Sequence, residues 1–190
     1  MPKGEEMYTS KIYTGTASAK EYLEYYVDTE KFIKYCKECP NYGKIWSCPE
    51  YDFKPEELWR KYEWLQVYAC VITPDYESMK ELSHEEKSSE IMKILHEERQ
   101  KLDKMISEAE QAEEGSLGLY AGSCVICGKE NCSRIEGKSC KHPEKMRYSI
   151  ESLGGDITAT LEDIVGLKIK WEKDGNFPEY YTLTCGLLTK

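Results

Sequence analysis

The chain has 190 residues, nine of them cysteine, with 40% hydrophobic content and a net charge of −9. A mean hydropathy of −0.67, with no stretch near the ~18 apolar residues that span a bilayer, argues against a membrane protein. The acidic balance argues against a nucleic-acid binder that relies on phosphate contacts. The length suits one domain over 1–190 whose core needs no disulfides, and the N-terminus lacks the apolar run of a secretory signal. A cytoplasmic protein is expected.

In chain order, the first 28 residues are Tyr-rich and ambiguous, with a short helix expected from Ala17 to Tyr26. Thr29 is expected to cap a helix through Tyr35. Residues 36–53 read as loop, punctuated by Pro40, Gly43 and Pro49. Pro55 opens a helix to about Tyr62, and Trp64 to Ile72 is a buried, β-branched and aromatic strand. Ser83-His84-Glu85-Glu86 matches a capping box. A helix then runs to about Glu114 on a stripe of Ile91, Leu95, Leu102, Met105, Ile106 and Ala109. Its length, roughly 45 Å, suits a crossover helix or one that projects to pair with a second copy.

Leu117 to Ala121 is a second strand, so residues 64–121 form a β-α-β unit, for which a right-handed parallel crossover is the default. Short helices are expected over Glu144 to Leu153 and Thr158 to Val165. Leu167 to Trp171 and Tyr180 to Leu188, joined by an Asp174-Gly175-Asn176 turn, read as a closing antiparallel hairpin. The expected fold is α/β with a mixed sheet (α+β is the alternative), carrying two cysteine loops at 36–49 and 122–143.

Thiols of a cytosolic chain stay reduced, and nine is odd, so a disulfide framework is a poor reading. The cysteines are also bunched. Cys124-x2-Cys127-x4-Cys132-x7-Cys140 sets four thiolates in 17 residues, enough to wrap one centre. Iron–sulfur clusters use four cysteine thiolates, commonly with a leading C-x2-C pair and a nearby proline, here Pro143. Structural zinc more often uses two short knuckles, and only the first half of this run has that form. From Cys124 to Arg147 six basic residues face three acidic ones, so the segment is +3 and the remaining chain −12. That inversion suits an anionic metal–thiolate core.

The second signal is Cys36-x2-Cys39-x8-Cys48-Pro49, also in basic surroundings. Three thiolates are an incomplete shell. Cys70, Cys185, a distant side chain or no protein group would take the fourth position, and a structural zinc site or unliganded thiols remain alternatives. Trp46 and Tyr42 are expected to shield this site. Arg147 and Glu151, four apart, are expected on one helix face, either as an ion pair or with Arg147 against the cofactor. Asp156 is expected to cap the next helix, and His142 is a further ligand candidate. There is no Walker A or dinucleotide fingerprint.

These motifs carry a resemblance. Cys36-x2-Cys39-x-Asn41-Tyr42-Gly43-x2-Trp46-x-Cys48-Pro49, then Gly122-Ser123-Cys124-x2-Cys127, Cys132, Cys140-x2-Pro143 and Arg147-x-Ser149-x-Glu151-x2-Gly154-x-Asp156, resemble an uncharacterised family of predicted metal-binding, cysteine-rich proteins of anaerobic bacteria and archaea. Glu50 departs from the family pattern, which tends to have a second proline there. The resemblance implies metal binding without a settled reaction. The expectation is a [4Fe–4S] cluster on Cys124, Cys127, Cys132 and Cys140, with a second iron–sulfur or zinc centre on Cys36, Cys39 and Cys48. Electron transfer with a redox partner protein follows from it. A zinc-stabilised adaptor and an enzyme with an open iron site are the alternatives.

Overall fold

The computed structural model describes residues 7–190. Its first element, β1 (Tyr8–Ser18), fills the stretch that the sequence left ambiguous. Alternating Thr, Tyr and Ile suit a pleated strand, and β1 lies at one edge of the sheet. Three short helices follow, α1 (Ala19–Tyr25), α2 (Thr29–Glu38) and α3 (Pro55–Trp59). The cap of α2 is Asp28 rather than Thr29; its carboxylate accepts the Lys31 N–H at 2.8 Å. The remaining elements are β2 (Trp64–Pro74), α4 (His84–Ala112), β3 (Leu117–Leu119), α5 (Ile157–Ala159) with a π-helical turn over Thr160–Val165, and β4 (Tyr181–Thr189).

The strands are ordered β1-β2-β4-β3 and every neighbouring pair is antiparallel. The architecture is therefore α+β. The long helix α4 does join β2 to β3, and those two strands run in the same direction. β4 is inserted between them, so no parallel pair forms and the expected mixed sheet is antiparallel throughout. The C-terminal strand is hairpin-like, with Lys173 and Asn176 bridged across the expected turn. Leu167 to Trp171 is not a strand, because the Leu167 N–H bonds the Leu161 carbonyl at 2.8 Å and closes the π-helical turn.

Residues along β2 alternate between two cores, as the pleat requires. Leu65 and Val67 face α1, α3 and the 150s, where Trp59 Nε1 donates to the Leu153 carbonyl at 3.1 Å. Cys70 and Ile72 face α4, which buries Ile91, Ile94, Glu98, Leu102 and Ile106. Leu95 and Met105 from the expected stripe are only partly buried. The helix is thus a packed crossover, and its capping box is formed as expected by Ser83 and Glu86.

The expected helix from Glu144 to Leu153 is absent. Tyr120 N–H draws the chain out by bonding the Tyr148 carbonyl at 2.8 Å, and a 3-10 turn forms only at Glu151–Leu153. Ser149 and Ser152 exchange side-chain-to-backbone bonds there, offering the backbone a local alternative to helix. Arg147 and Glu151 therefore do not share a helix face. Asp156 caps α5 as expected, accepting the Ala159 N–H at 3.1 Å.

Candidate metal centres

The first cysteine loop grows out of α2. Cys36 lies in its last turn, and Cys39 caps it, donating its N–H to the Cys36 carbonyl at 3.0 Å. The chain then folds back on itself: Gly43, at φ +66, donates to the Pro49 carbonyl at 2.8 Å, and Cys48 donates to Ile45 at 3.0 Å. A left-handed turn at this point requires glycine. Burial pushes the Cys48 thiol up to about 11; the Ser47 hydroxyl opposes this, and Cys39 and Cys36 add like-charge repulsion. Burial also raises Cys36, followed by the charges of Cys39 and Glu151. The three thiols are near enough to sense one another.

Cys124, Cys127, Cys132 and Cys140 line a single cavity, together with Ile45, Trp46, His142 and Met146. Gly128 and Gly137, both at positive φ, reverse the chain between these cysteines. Burial raises the Cys124 thiol; the Ile126 backbone N–H opposes it, and the other three thiols of the run reinforce it. The His142 N–H points at Cys140 Sγ, 3.4 Å away. Backbone donors to sulfur are among the groups that set the potential of a metal–thiolate centre. All nine cysteines are unpaired thiols. Among the described residues, no three His, Cys, Asp or Glu side chains yet stand in a metal-binding arrangement. The donor chemistry nevertheless fits a tetrathiolate group, since four thiols face one cavity.

The two loops interlock. Ser47 Oγ accepts the Cys124 N–H at 2.7 Å, and Asn41 Nδ2 donates to Ser123 Oγ at 3.2 Å. Arg134 reaches from the second loop to the carbonyls of Ile45, Cys48 and Glu50 in the first, and lies 5.1 Å over the Trp46 ring. Trp46 in turn donates to the Lys138 carbonyl at 3.1 Å. Trp46 thus walls the four-cysteine cavity rather than the first site, where it was expected. The Ser47–Cys124 bond puts the Cα atoms of Cys48 and Cys124 within about 10 Å of one another. Sequence reasoning counted Arg134 only as local charge and gave Ser47 no role. An arginine inside a cysteine run was the only signal in the sequence, since the carbonyls it meets belong to backbone groups that every residue has.

Cys70 and Cys185 lie apart from both loops, on β2 and β4 in the core beneath α4, 1% and 0% exposed. The Cys70 thiol donates to Glu98 at 3.6 Å. Arg147 is held by Glu110 of α4, with Nε at 2.7 and 3.0 Å from the two carboxylate oxygens, and it also caps the Glu144 and Met146 carbonyls. It ties the end of the second loop to the helix. Beside Cys36 opens a cavity of about 410 Å³ walled by Phe32, Tyr51 and Phe53, with Glu151 also in its lining.

The family profile described as predicted metal-binding protein (DUF2284) matches residues 23–188. The chain belongs to this family. The match spans both cysteine loops, β2, β3 and nearly all of β4, but not β1, and the family description supports binding of a metal. No curated protein and no solved structure matches the chain. Among the described residues, no helix is long and apolar enough to cross a membrane.

Proposed function

We propose that this family member is an electron-transfer protein whose four-cysteine loop holds a [4Fe–4S] cluster, with a second metal centre on the three-cysteine loop. The observation that carries the reading is the shared cavity of Cys124, Cys127, Cys132 and Cys140. Such a cluster supplies one-electron chemistry at a potential set by charge, hydrogen bonds and burial. The chain provides those levers. Trp46 and Ile45 exclude water, the His142 N–H addresses sulfur, and the basic residues of the loop offset anionic charge. Ser47 and Arg134 hold the two loops in register, which supports passage of an electron between them before it leaves to a partner protein.

Anaerobically purified protein is the test. The reading expects stoichiometric iron and inorganic sulfide, a broad absorbance near ~400 nm and an EPR signal on reduction. Stoichiometric zinc without sulfide would replace it with the zinc-stabilised adaptor. A second reading, an enzyme with an open iron position at Cys36, Cys39 and Cys48, is favoured by the aromatic cavity beside Cys36. Cyanide that perturbs only one of two EPR signals would select it.

A further inference from the structure

The two edges of the sheet are unlike. β3 is three residues long, whereas β1 offers eleven, from Tyr8 to Ser18. Natural edge strands are kept from pairing with other chains by shortness, proline, bulges or charge. β1 has no proline, and its register against β2 runs from Tyr8–Pro74 to Ser18–Trp64 without a bulge. Its one charge is Lys11, whose ammonium lies 4.6 Å over the Tyr13 ring of its own strand. The strand holds no acid, in a chain of net charge −9, so two copies approach there with little repulsion.

The hydrogen bonds at its two ends tell which backbone groups are free. The Asp75 N–H bonds the Met7 carbonyl and the Ala19 N–H bonds the Glu63 carbonyl, each at 2.8 Å and each in register with the ladder. Odd-numbered residues therefore turn their N–H and C=O toward β2, and even-numbered ones turn theirs outward. Among the described residues, no backbone group bonds the outward N–H or C=O of Tyr8, Ser10, Ile12, Thr14, Thr16 or Ser18. Ile12 also stays 45% exposed, although Cys70 opposite it is buried under α4.

We propose that β1 pairs with β1 of a second copy, antiparallel about a two-fold axis through Tyr13. Such an interface is isologous and closes at two copies. Centred on Tyr13, the pairing uses the whole strand: Tyr8 meets Ser18, Ser10 meets Thr16 and Ile12 meets Thr14 of the second copy, so outward groups face one another in every pair. The two Tyr13 stand opposite each other in a closely spaced pair, and Lys11 meets Gly15, so like charges are not apposed. Centring on Lys11 would set two ammoniums opposite and shorten the ladder. The product is one continuous sheet with four strands from each copy. β3 and the second cysteine loop that follows it lie at the far edge of each copy, and the interface stands whether or not the iron–sulfur reading does.

Sedimentation of the intact, anaerobically purified protein between about 1 and 100 µM tests this. A shift toward twice the 22.1 kDa chain mass is expected as concentration rises. Amide exchange reads the register: the even-numbered amides of β1 should be as protected as the odd-numbered ones in the dimer, and on dilution they alone should exchange quickly. Thr14→Pro removes an outward N–H without touching a bond to β2, and an edge strand tolerates proline at such a position. It should weaken association by about tenfold or more, with circular dichroism and metal content like the wild type's. Ile12→Lys, at an exposed side chain, should weaken it by about threefold or more by adding charge beside the two-fold. The proposal is overturned by a chain that stays monomeric throughout, by a dimer whose even-numbered β1 amides exchange freely, or by unchanged association in a folded Thr14→Pro. If Thr14→Pro does not fold, unchanged association in Ile12→Lys overturns it equally.

Discussion

Arg134 donates to three carbonyls of the opposite cysteine loop and stacks on Trp46, so its removal leaves several partners exposed or unpaired at once. Arg134→Gln is expected to lose about 2–3 kcal/mol in urea denaturation, the scale of hydrogen bonds from a charged donor. Arg134→Lys should recover only part, because an ammonium cannot span three carbonyls in one plane. Asp103 offers a different residue-scale test. Burial raises its carboxyl from 3.8 to about 6, against the pull of Arg99 and of the Ala121 backbone; Tyr120 and Cys185 also face it. Between those two values the unfolded chain has released this proton and the folded chain retains it, so stability falls as pH rises through the window. Relative to Asp103→Asn, the wild type should therefore lose about 2 kcal/mol between pH 4 and pH 7 in parallel denaturation curves. Equal slopes in the two proteins would show that Asp103 titrates normally.

At the scale of elements, α4 is the member on which one of the two cores and the second loop depend. Its N-terminal box is satisfied at both ends, with Ser83 Oγ accepting from Glu86 N–H at 3.2 Å and Glu86 accepting from Ser83 N–H at 2.8 Å. Ser83→Ala should cost about 1 kcal/mol in thermal or chemical unfolding. The packing of α4 on β3 is tighter than a side chain allows. A Cβ on Gly118 would meet Ile106 Cγ2 at 2.7 Å and Glu110 Oε2 at 2.9 Å, and Glu110 is the carboxylate that anchors Arg147. Gly118→Ala is expected to destabilise by about 1–3 kcal/mol through overpacking and to speed proteolysis within 140–148. A variant as stable and as protease-resistant as the wild type would show that α4 moves away freely.

For the whole molecule, the placement of nine cysteines separates the candidate ligands of the two loops from Cys70 and Cys185 of the core. Serine at Cys124, Cys127, Cys132 or Cys140 should each lose or degrade the bound metal, because binding there contributes folding energy to the loop. Alanine at Cys70 or Cys185 should leave metal content unchanged while lowering stability, since both thiols fill the space under α4. Metal analysis and denaturation of the same six variants decide between these roles. Much of this was legible in the chain. The bunching of thiols, the inverted charge around them, the capping box and the strand from Trp64 to Ile72, buried mostly on alternate residues from Leu65 onward while Trp64 stays half exposed, are local patterns, and local patterns survive translation into structure. What the sequence alone could not decide depended on partners far away in it. Strand β4 entered between β2 and β3, because an antiparallel partner for both was supplied only by the last residues. Tyr120 drew Tyr148 out of a helix, and Glu110 took Arg147 from Glu151. Ser47 and Arg134 joined the two cysteine loops through backbone groups, which are identical at every residue and leave no trace in composition or spacing. Side-chain chemistry by itself pointed to metal binding, which the family supports; only the tertiary structure decided that the two thiol loops form one interlocked unit.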